Sequence, residues 1–154
     1  MDAKRISVDE IIIKDAELIH ESAIVNLSRM YERELGWLPS EATRGFIKKN
    51  QIIVAIEKNY LQGFCEFGGL TKEYWTIYSL AVINKVQKKG IARKLINNLE
   101  NKIMKSESKG IDLKVTLENY VAINFYERVG FKKIHLDPVG KNKQALWIMR
   151  KEIK

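Results

Sequence analysis

The stretch Q-K-K-G-I-A, residues 87–92, combines residue types that could bind an anion. It separates the apolar runs Y-S-L-A-V-I and R-K-L-I-N-N-L, which predicts a turn between a strand and a helix. The first N–H groups of a helix have no intrahelical partner and carry partial positive charge. Gly90 would let a ligand approach this backbone closely, because it has no Cβ atom. The basic side chains around the turn are Lys85, Lys88, Lys89, Arg93 and Lys94. A pyrophosphate group fits such a site.

The turn by itself leaves a second interpretation open. It matches neither G-x-x-x-x-G-K-[ST] nor G-x-G-x-x-G, so neither a Walker A loop nor a dinucleotide-binding fold is indicated. A solvated basic turn, with a glycine that serves only the backbone conformation, would contain the same residues.

Hydrophobic periodicity predicts the elements that would position this turn. Strands are predicted over residues 4–13, 51–57, 58–67 (with a turn through Asn59), 75–83, 111–117, 131–136 and 144–151. Helices are predicted after a cap at Asp15, from Pro39 to Lys49, from Gly90 to a stop at Gly110, and over residues 119–129. The order β-α-α-β-β-β-α-β-α-β-β predicts an α/β fold on a mixed sheet. We expect one domain over residues 1–154.

Three of the predicted helices have an apolar side. In the first helix it comprises Leu18, Ile19, Ala23, Val25, Leu27 and Met30. In the third it comprises Ile91, Leu95, Ile96, Leu99 and Ile103, and in the last Val121, Ala122, Phe125, Tyr126 and Val129.

Composition limits the classes of protein to consider. No apolar run approaches the roughly 20 residues that span a membrane, and the first ten residues lack the apolar core of a secretion signal. One cysteine, Cys65, and two distant histidines, His20 and His135, argue against a metal site and for a reducing, cytoplasmic location.

The charge is unevenly distributed along the chain. The formal net charge is +8 in total, with −3 in residues 1–40 and +11 in residues 41–154. A basic body favours a polyanionic partner, either nucleic acid or a phosphorylated cofactor. A nucleic-acid-binding or nucleic-acid-modifying protein is therefore an alternative. The sequence has no helix-turn-helix, zinc or RNP signature to support it.

A second motif decides between these interpretations. N-Y-V-A-I-N-F-Y-E-R-V-G-F, residues 119–131, matches N-x-x-A-x-x-x-Y-E-x-x-G-F. Upstream, Gln87, Gly90 and Ala92 match Q/R-x-x-G-x-G/A, and one helix and one strand separate the two motifs. Together they resemble the GNAT superfamily of N-acetyltransferases. The resemblance implies a mixed, mostly antiparallel sheet of about six to seven strands with about four helices.

The resemblance also implies that acetyl-coenzyme A binds where the strand at 75–83 diverges from the strand at 111–117. No metal is expected, given the single cysteine and the two distant histidines. The pyrophosphate would bind the backbone of residues 87–92, and the pantetheine arm would pair with the backbone of Leu80 and Val82 like an added strand. The implied cofactor-binding residues are Leu80, Ala81, Val82, Gln87, Lys88, Lys89, Gly90, Ile91, Ala92, Arg93, Asn119, Asn124 and Tyr126. The alternatives are a helix cap for Asn119, a solvated position for Asn124 and a core aromatic for Tyr126.

The implied reaction is direct attack of an acceptor amine on the thioester carbonyl. The Val82 N–H group would polarise that carbonyl, and Tyr126 would protonate the leaving thiolate. The amine must lose a proton, and Glu66, Glu73 and Tyr78 are candidate bases. The alternative for Glu66 is a solvent-facing strand residue.

The acceptor is expected to be a small-molecule or peptide amine. In the family the first helices shape the acceptor side, and here they are acidic, at Glu17, Glu21, Glu32, Glu34 and Glu41, with Tyr31 and Trp37 between. Such groups would suit a cationic amine, although a solvated amphipathic helix would have a similar composition. A non-catalytic module that binds coenzyme A is a further alternative. The chain is expected to be a monomer, or a homodimer paired through the last strand.

Overall fold

The computed structural model describes residues 10–31, 39–83, 90–138, 140 and 144–154. The strands are β1 (Ile12–Asp15), β2 (Ile52–Glu57), β3 (Tyr60–Gly68), β4 (Tyr74–Val82), β5 (Gly110–Thr116), β6 (Lys132–Asp137) and β7 (Leu146–Glu152). The helices are α1 (Glu21–Met30), α2 (Ser40–Lys48), α3 (Ile91–Met104) and α4 (Tyr120–Arg128), and a 3-10 turn, Leu18–His20, precedes α1. The predicted order of elements is confirmed.

The strands form one seven-stranded sheet in the order β1-β2-β3-β4-β5-β7-β6. The described pairings β1–β2, β2–β3, β5–β7 and β6–β7 are antiparallel, and β4–β5 is parallel. The predicted mixed, mostly antiparallel α/β sheet is therefore confirmed. Among the described residues, the parallel ladder joins residues 74–76 to residues 110–112 and ends there, although β4 continues to Val82.

Contacts divide the chain into two compact units. One comprises Met1–Glu66 and Ser79–Leu99, and the other comprises Phe67–Tyr78 and Glu100–Lys154. Strands β3 and β4 each contribute residues to both units. The single domain over residues 1–154 stays a prediction.

The first unit is built on a face of the sheet that α1 and α2 cover. The amphipathic pattern of the two helices places Ile24, Leu27 and Ile47 against this face. The strand residues of the same cluster are Ile52, Val54 and Ile56 of β2, Phe64 of β3 and Ala81 of β4. Every second residue of β2 belongs to this cluster, as the period of a strand requires. This packing fixes the positions of β3 and β4 beneath the first two helices.

In the second unit, β5 is paired with β7 along its whole length. Its apolar residues Ile111, Leu113 and Val115 are buried. On the polar side, the Arg150 guanidinium donates two hydrogen bonds to the Asp112 carboxylate, at 2.7 and 2.9 Å. The same guanidinium lies 3.7 Å from the centre of the Tyr74 ring. The first contact joins β7 to β5, and the second joins β7 to β4 across β5.

The predicted apolar side of α3 is confirmed. All five residues of its predicted apolar side, Ile91, Leu95, Ile96, Leu99 and Ile103, are at most 1% exposed. The helix ends at Met104, however, so Gly110 is not its stop signal. Gly110 instead begins β5, where an added Cβ atom would clash with the carbonyl oxygen of Lys151 on β7. The glycine is needed for the close approach of these two strands.

The chain before α1 differs from the prediction. The predicted strand over residues 4–13 lies partly outside the described residues, and β1 ends at Asp15, which therefore does not cap a helix. The helical segment begins after Glu17, whose N–H group donates to Nδ1 of His20 at 2.9 Å. Ile19 lies in the resulting 3-10 turn and Met30 is the last residue of α1, and both are exposed.

The buried sides of α1 and α4 are corrected accordingly. Leu18 and Ala23 are also exposed, and Ile24 takes their place in the core beside Val25 and Leu27. In α4, Val121 is 82% exposed and Ile123 is buried.

Candidate functional site

The turn before α3 is described only from Gly90 onward, because Gln87, Lys88 and Lys89 lie outside the described residues. Gly90 has a φ of 73°, in the left-handed region that glycine adopts without strain. Its carbonyl accepts a hydrogen bond from Lys94 N at 3.1 Å, which closes the first turn of α3. The described part of the turn therefore leads directly into a helix N-terminus, where N–H groups can bind an anion.

The three residues after Gly90 differ in what they can offer a ligand. The Ile91 side chain is fully buried, Ala92 is half-buried and Arg93 is exposed. Ile91 can therefore contribute only its backbone, whereas Arg93 can contribute a charge.

The end of β4 is held by β3 and by the residue after α1. Ala81 and Val82 are buried and Leu80 is half-buried, so their side chains belong to the fold and a ligand would meet their backbone. The N–H group of Ile83 donates to Gln62 O at 2.9 Å. The Tyr31 hydroxyl donates to Val82 O at 3.1 Å. The C-terminal end of α1 is thereby tied to the strand that the resemblance assigns to the cofactor.

The remaining predicted residues, Asn119, Asn124 and Tyr126, lie in the second unit. Asn119 caps α4, because its side-chain oxygen accepts a hydrogen bond from Ala122 N at 3.2 Å. Asn124 is exposed on the same helix. The half-buried Tyr126 ring makes edge contacts with Phe125 and Phe131, at centroid distances of 5.3 and 5.4 Å. The capping interpretation of Asn119 is confirmed, and the cofactor contacts of all three stay predictions.

Glu66 has an environment that differs strongly from the solvent-facing position considered from the sequence. It is 3% exposed, so the interpretation as a solvent-facing strand residue is wrong. The reason is that β3 is an interior strand with both faces covered, and its residues 62–68 are all buried. The carboxyl group forms a hydrogen bond with the Ser79 side chain, while Oε2 has no hydrogen-bond partner among the described residues. A charged residue within the apolar run F-C-E-F was the signal in the sequence.

Burial changes the acid–base properties of Glu66 and of its neighbour. Burial raises the pKa of Glu66 to about 7, against the lowering effect of the Ser79 hydrogen bond. The Cys65 thiol is fully buried, and burial together with the charge of Glu66 raises its pKa. Glu66 can therefore exchange a proton near neutral pH, and Cys65 cannot.

The other two candidate bases are less suited. Glu73 is exposed, and its carboxylate lies 2.7 Å from the Lys109 ammonium. The hydrogen bond and charge of Lys109 lower the pKa of Glu73. Tyr78 is 49% exposed. Of the three, only Glu66 combines burial with an unpartnered oxygen.

Two of the acidic residues expected to face the acceptor are engaged with cations. Glu17 accepts a hydrogen bond from Lys14 at 3.0 Å. Glu21 accepts two from Arg44, at 3.0 and 3.1 Å, and one from Ser40. Glu32, Glu34 and Trp37 lie outside the described residues, and Glu41 is exposed. The charge of Glu17 and Glu21 is thus compensated within the chain.

Comparison with protein families gives a match to the acetyltransferase (GNAT) family over residues 17–131. Comparison with curated proteins gives no significant match. Within the described residues, no helix is both long and apolar enough to cross a membrane.

Several solved structures share this fold. Ard1 from Thermoplasma volcanium superposes with a TM-score of 0.83 at 14% identity, covering 94% of this chain and 98% of its own. The ribosomal-protein-S18-alanine N-acetyltransferase from Escherichia coli has a TM-score of 0.75 at 20% identity, covering 94% and 95%. The PaiA N-acetyltransferase from Thermoplasma acidophilum, solved with coenzyme A, has a TM-score of 0.71 at 18% identity, covering 93% and 99%.

The buried Glu66 carboxyl predicts a specific pH dependence of stability. Between pH 4.5, the usual pKa, and about 7, the unfolded chain has released this proton and the folded chain still holds it. The free energy of unfolding therefore falls as pH rises through this range, by about 3 kcal/mol in total for this group. Glu66→Gln should match the wild type near pH 4.5 and be more stable at pH 8, as measured by urea denaturation. The matched control is Glu57→Gln on β2, and a pH dependence in Glu66→Gln equal to that of the wild type would contradict the assignment.

Proposed function

Because the chain belongs to the GNAT acetyltransferase family, we propose that it transfers an acetyl group from acetyl-coenzyme A to a primary amine by direct attack on the thioester. The observation that carries this proposal is the family match over residues 17–131, which includes both sequence motifs. The PaiA structure contains coenzyme A, which supports the choice of donor.

The proposed binding of the cofactor uses mainly backbone groups. Its pyrophosphate accepts hydrogen bonds from N–H groups of residues 87–92, with Lys88, Lys89 and Arg93 around it. Its pantetheine arm pairs with the backbone of Leu80 and Val82, and Asn119 and Asn124 contact the arm. The burial of Ala81 and Val82 supports this arrangement, because it leaves their backbone as the part that a ligand can contact.

In the proposed reaction, the acceptor nitrogen forms a bond to the thioester carbonyl carbon. The Val82 N–H group stabilises the negative charge that develops on the carbonyl oxygen. The C–S bond then breaks, and the Tyr126 hydroxyl donates a proton to the departing thiolate. The edge contacts of the Tyr126 ring with Phe125 and Phe131 support this role, because they restrict the orientation of the ring.

The acceptor is proposed to be a small-molecule or peptide amine. The Escherichia coli relative acts on an alanine of ribosomal protein S18, which makes a peptide N-terminus one member of the set to test.

Acetyl-coenzyme A should stabilise the folded protein. At about 100 times its Kd, the ligand adds about 2.7 kcal/mol, which raises the Tm by several degrees for a chain of this size. Gly90→Ala should reduce this shift, because alanine is strained at a φ of 73°, and relief of that strain would change the shape of the turn proposed to bind the pyrophosphate. The matched control is Gly45→Ala in α2, where an added Cβ atom has no neighbour within 4 Å. Dephospho-coenzyme A, which keeps the pyrophosphate, should also stabilise the protein. The absence of any shift with either ligand would argue against the proposal.

Replacement of Tyr126 by phenylalanine should separate catalysis from binding. Tyr126→Phe keeps the ring contacts and removes the proton donor, so kcat should fall about 10²-fold or more while the Kd for acetyl-coenzyme A stays close to that of the wild type. Tyr120→Phe, on the exposed side of the same helix, is the control. Both values follow from steady-state kinetics and calorimetry, and an unchanged kcat would remove Tyr126 from the mechanism.

Two substitutions of Asn119 distinguish a helix cap from a cofactor contact. Asn119→Ala removes the cap and should cost about 1 kcal/mol of stability. Asn119→Asp keeps a cap acceptor and loses the amide donor, so stability should be retained while binding of acetyl-coenzyme A weakens. If Asn119→Asp binds as tightly as the wild type in calorimetry, Asn119 serves only the helix.

A further inference from the structure

The buried carboxyl of Glu66 is a polar group that the packing alone does not explain. Its side chain lies in an interior strand, and its Oε2 atom has no hydrogen-bond partner among the described residues. Leaving a buried polar atom unpaired is costly, and such atoms are rare in folded proteins. A polar partner that is present during function, such as a water molecule or a substrate group, would remove this cost.

The location of Glu66 relates it to the proposed acyl-transfer chemistry. It pairs directly with Ile52 of β2, and its hydrogen-bond partner is Ser79 of β4. Ser79 immediately precedes Leu80 on the strand whose backbone is proposed to bind the pantetheine arm. Three residues of an extended strand span about 10 Å, so Ser79 lies within that distance of Val82 along β4.

Glu66 also lies on the side of the sheet that the first two helices cover. Side chains alternate along a strand, so Glu66 and Phe64, which are two residues apart on β3, point to the same face. Ile52, the residue of β2 that is paired with Glu66, points to that face too. Phe64 and Ile52 both belong to the cluster packed against α1 and α2. The resemblance to the family assigns these helices to the acceptor side, which places the carboxyl on the side from which an amine is expected to approach.

We propose that Glu66 receives the proton that the acceptor ammonium must lose before its nitrogen attacks the thioester. A water molecule carries this proton to Oε2. This inference rests on the proposed function. The water is included because Oε2 is buried, and buried polar atoms without a protein partner are commonly satisfied by water. A carboxyl that is not partnered on one oxygen is suited to receive a proton there.

The ammonium gives one proton to the water as the water gives one to Oε2, so the amine becomes neutral and Glu66 becomes neutral. The nitrogen then bonds to the carbonyl carbon and loses its second proton as the amide forms. The C–S bond breaks with its electron pair on sulfur, which is protonated by Tyr126. Tyr126 recovers the second amine proton, and Glu66 later releases its proton to solvent.

The acid–base environment of Glu66 supports this role. Its pKa of about 7 is set by burial and by the Ser79 hydrogen bond, and no charged group of the described chain is among the causes. The titratable groups on the elements around this face are Tyr60 and Cys65 on β3, Glu57 on β2, Tyr74 and Tyr78 on β4, Glu21 and Arg29 on α1, Tyr31 after it, and Glu41, Arg44 and Lys48 on α2. A pKa near the working pH is the optimum for a group that must accept and release protons in each cycle.

The test is the pH dependence of kcat/KM for acetyl transfer by the wild type and by Glu66→Gln. Three amines serve as probes: a short peptide with a free N-terminal alanine, a peptide with a blocked N-terminus and one lysine, and spermidine. For the wild type, kcat/KM should rise to a plateau with a pKa near 7. For Glu66→Gln, kcat/KM should be about 10²-fold lower at pH 7.5. It should then increase tenfold per pH unit, because the variant depends on amine that has already lost its proton in solution. At high pH the two enzymes should approach each other.

Two further variants separate this role from a structural one. Ser79→Ala removes the hydrogen bond that lowers the pKa of Glu66, so the acidic limb of the profile should shift to higher pH. This variant also tests the proposal if Glu66→Gln does not fold. Glu57→Gln makes the same chemical change on the neighbouring strand and should leave the profile unchanged.

The outcomes distinguish the two proposals. If the wild type acetylates an amine and Glu66→Gln keeps both the rate and the acidic limb, Glu66 is not the proton acceptor and the acetyltransferase function stands. An acidic limb that does not move in Ser79→Ala leads to the same rejection. If the wild type acetylates none of the three amines, the proposed function and the role of Glu66 are rejected together.

Discussion

Every backbone N–H and C=O group of a buried strand requires a hydrogen-bond partner, and this requirement governs β4. Among the described residues, its parallel ladder with β5 covers residues 74–76. Near its other end, β3 supplies a carbonyl to Ile83 N, and Tyr31 supplies a hydroxyl to Val82 O. Within the described part of the chain β5 pairs with the first part of β4, and the proposed function places the pantetheine arm beside the backbone of Leu80 and Val82.

The chain shows how environment, rather than residue type, sets the chemistry of a carboxyl group. Glu21 and Glu73 are paired with Arg44 and Lys109, and their pKa values are lowered. Glu66 has a serine hydroxyl as its partner and lies in an interior strand, and its pKa is raised. Charged partners near the surface hold the first two in the ionised form, whereas burial makes the third able to change its charge near neutral pH.

Local periodicity predicted some features of the fold and missed others. The buried side of α3 and the order of the elements follow from patterns within a few residues, and both were correct, whereas the buried sides of α1 and α4 were wrong in part. The burial of Glu66 depends on which strands come to lie on either side of β3, and the pairing of Glu21 with Arg44 joins two helices. Gly110 was misassigned for the same reason, because the strand that requires it, β7, is distant in sequence. Tertiary neighbours, which no local pattern encodes, account for these differences.

Because Cys65 is fully buried, the rate at which its thiol reacts reports how often the structure around it opens. It is the one cysteine in the sequence, it lies next to Glu66, and its thiol is protected by burial and by a raised pKa. A thiol-specific reagent reacts with the thiolate, so the rate of modification measures how often β3 becomes accessible to solvent. Ligands that hold β3 and β4 together should slow that rate, so the opening of this strand can be followed without introducing a new cysteine.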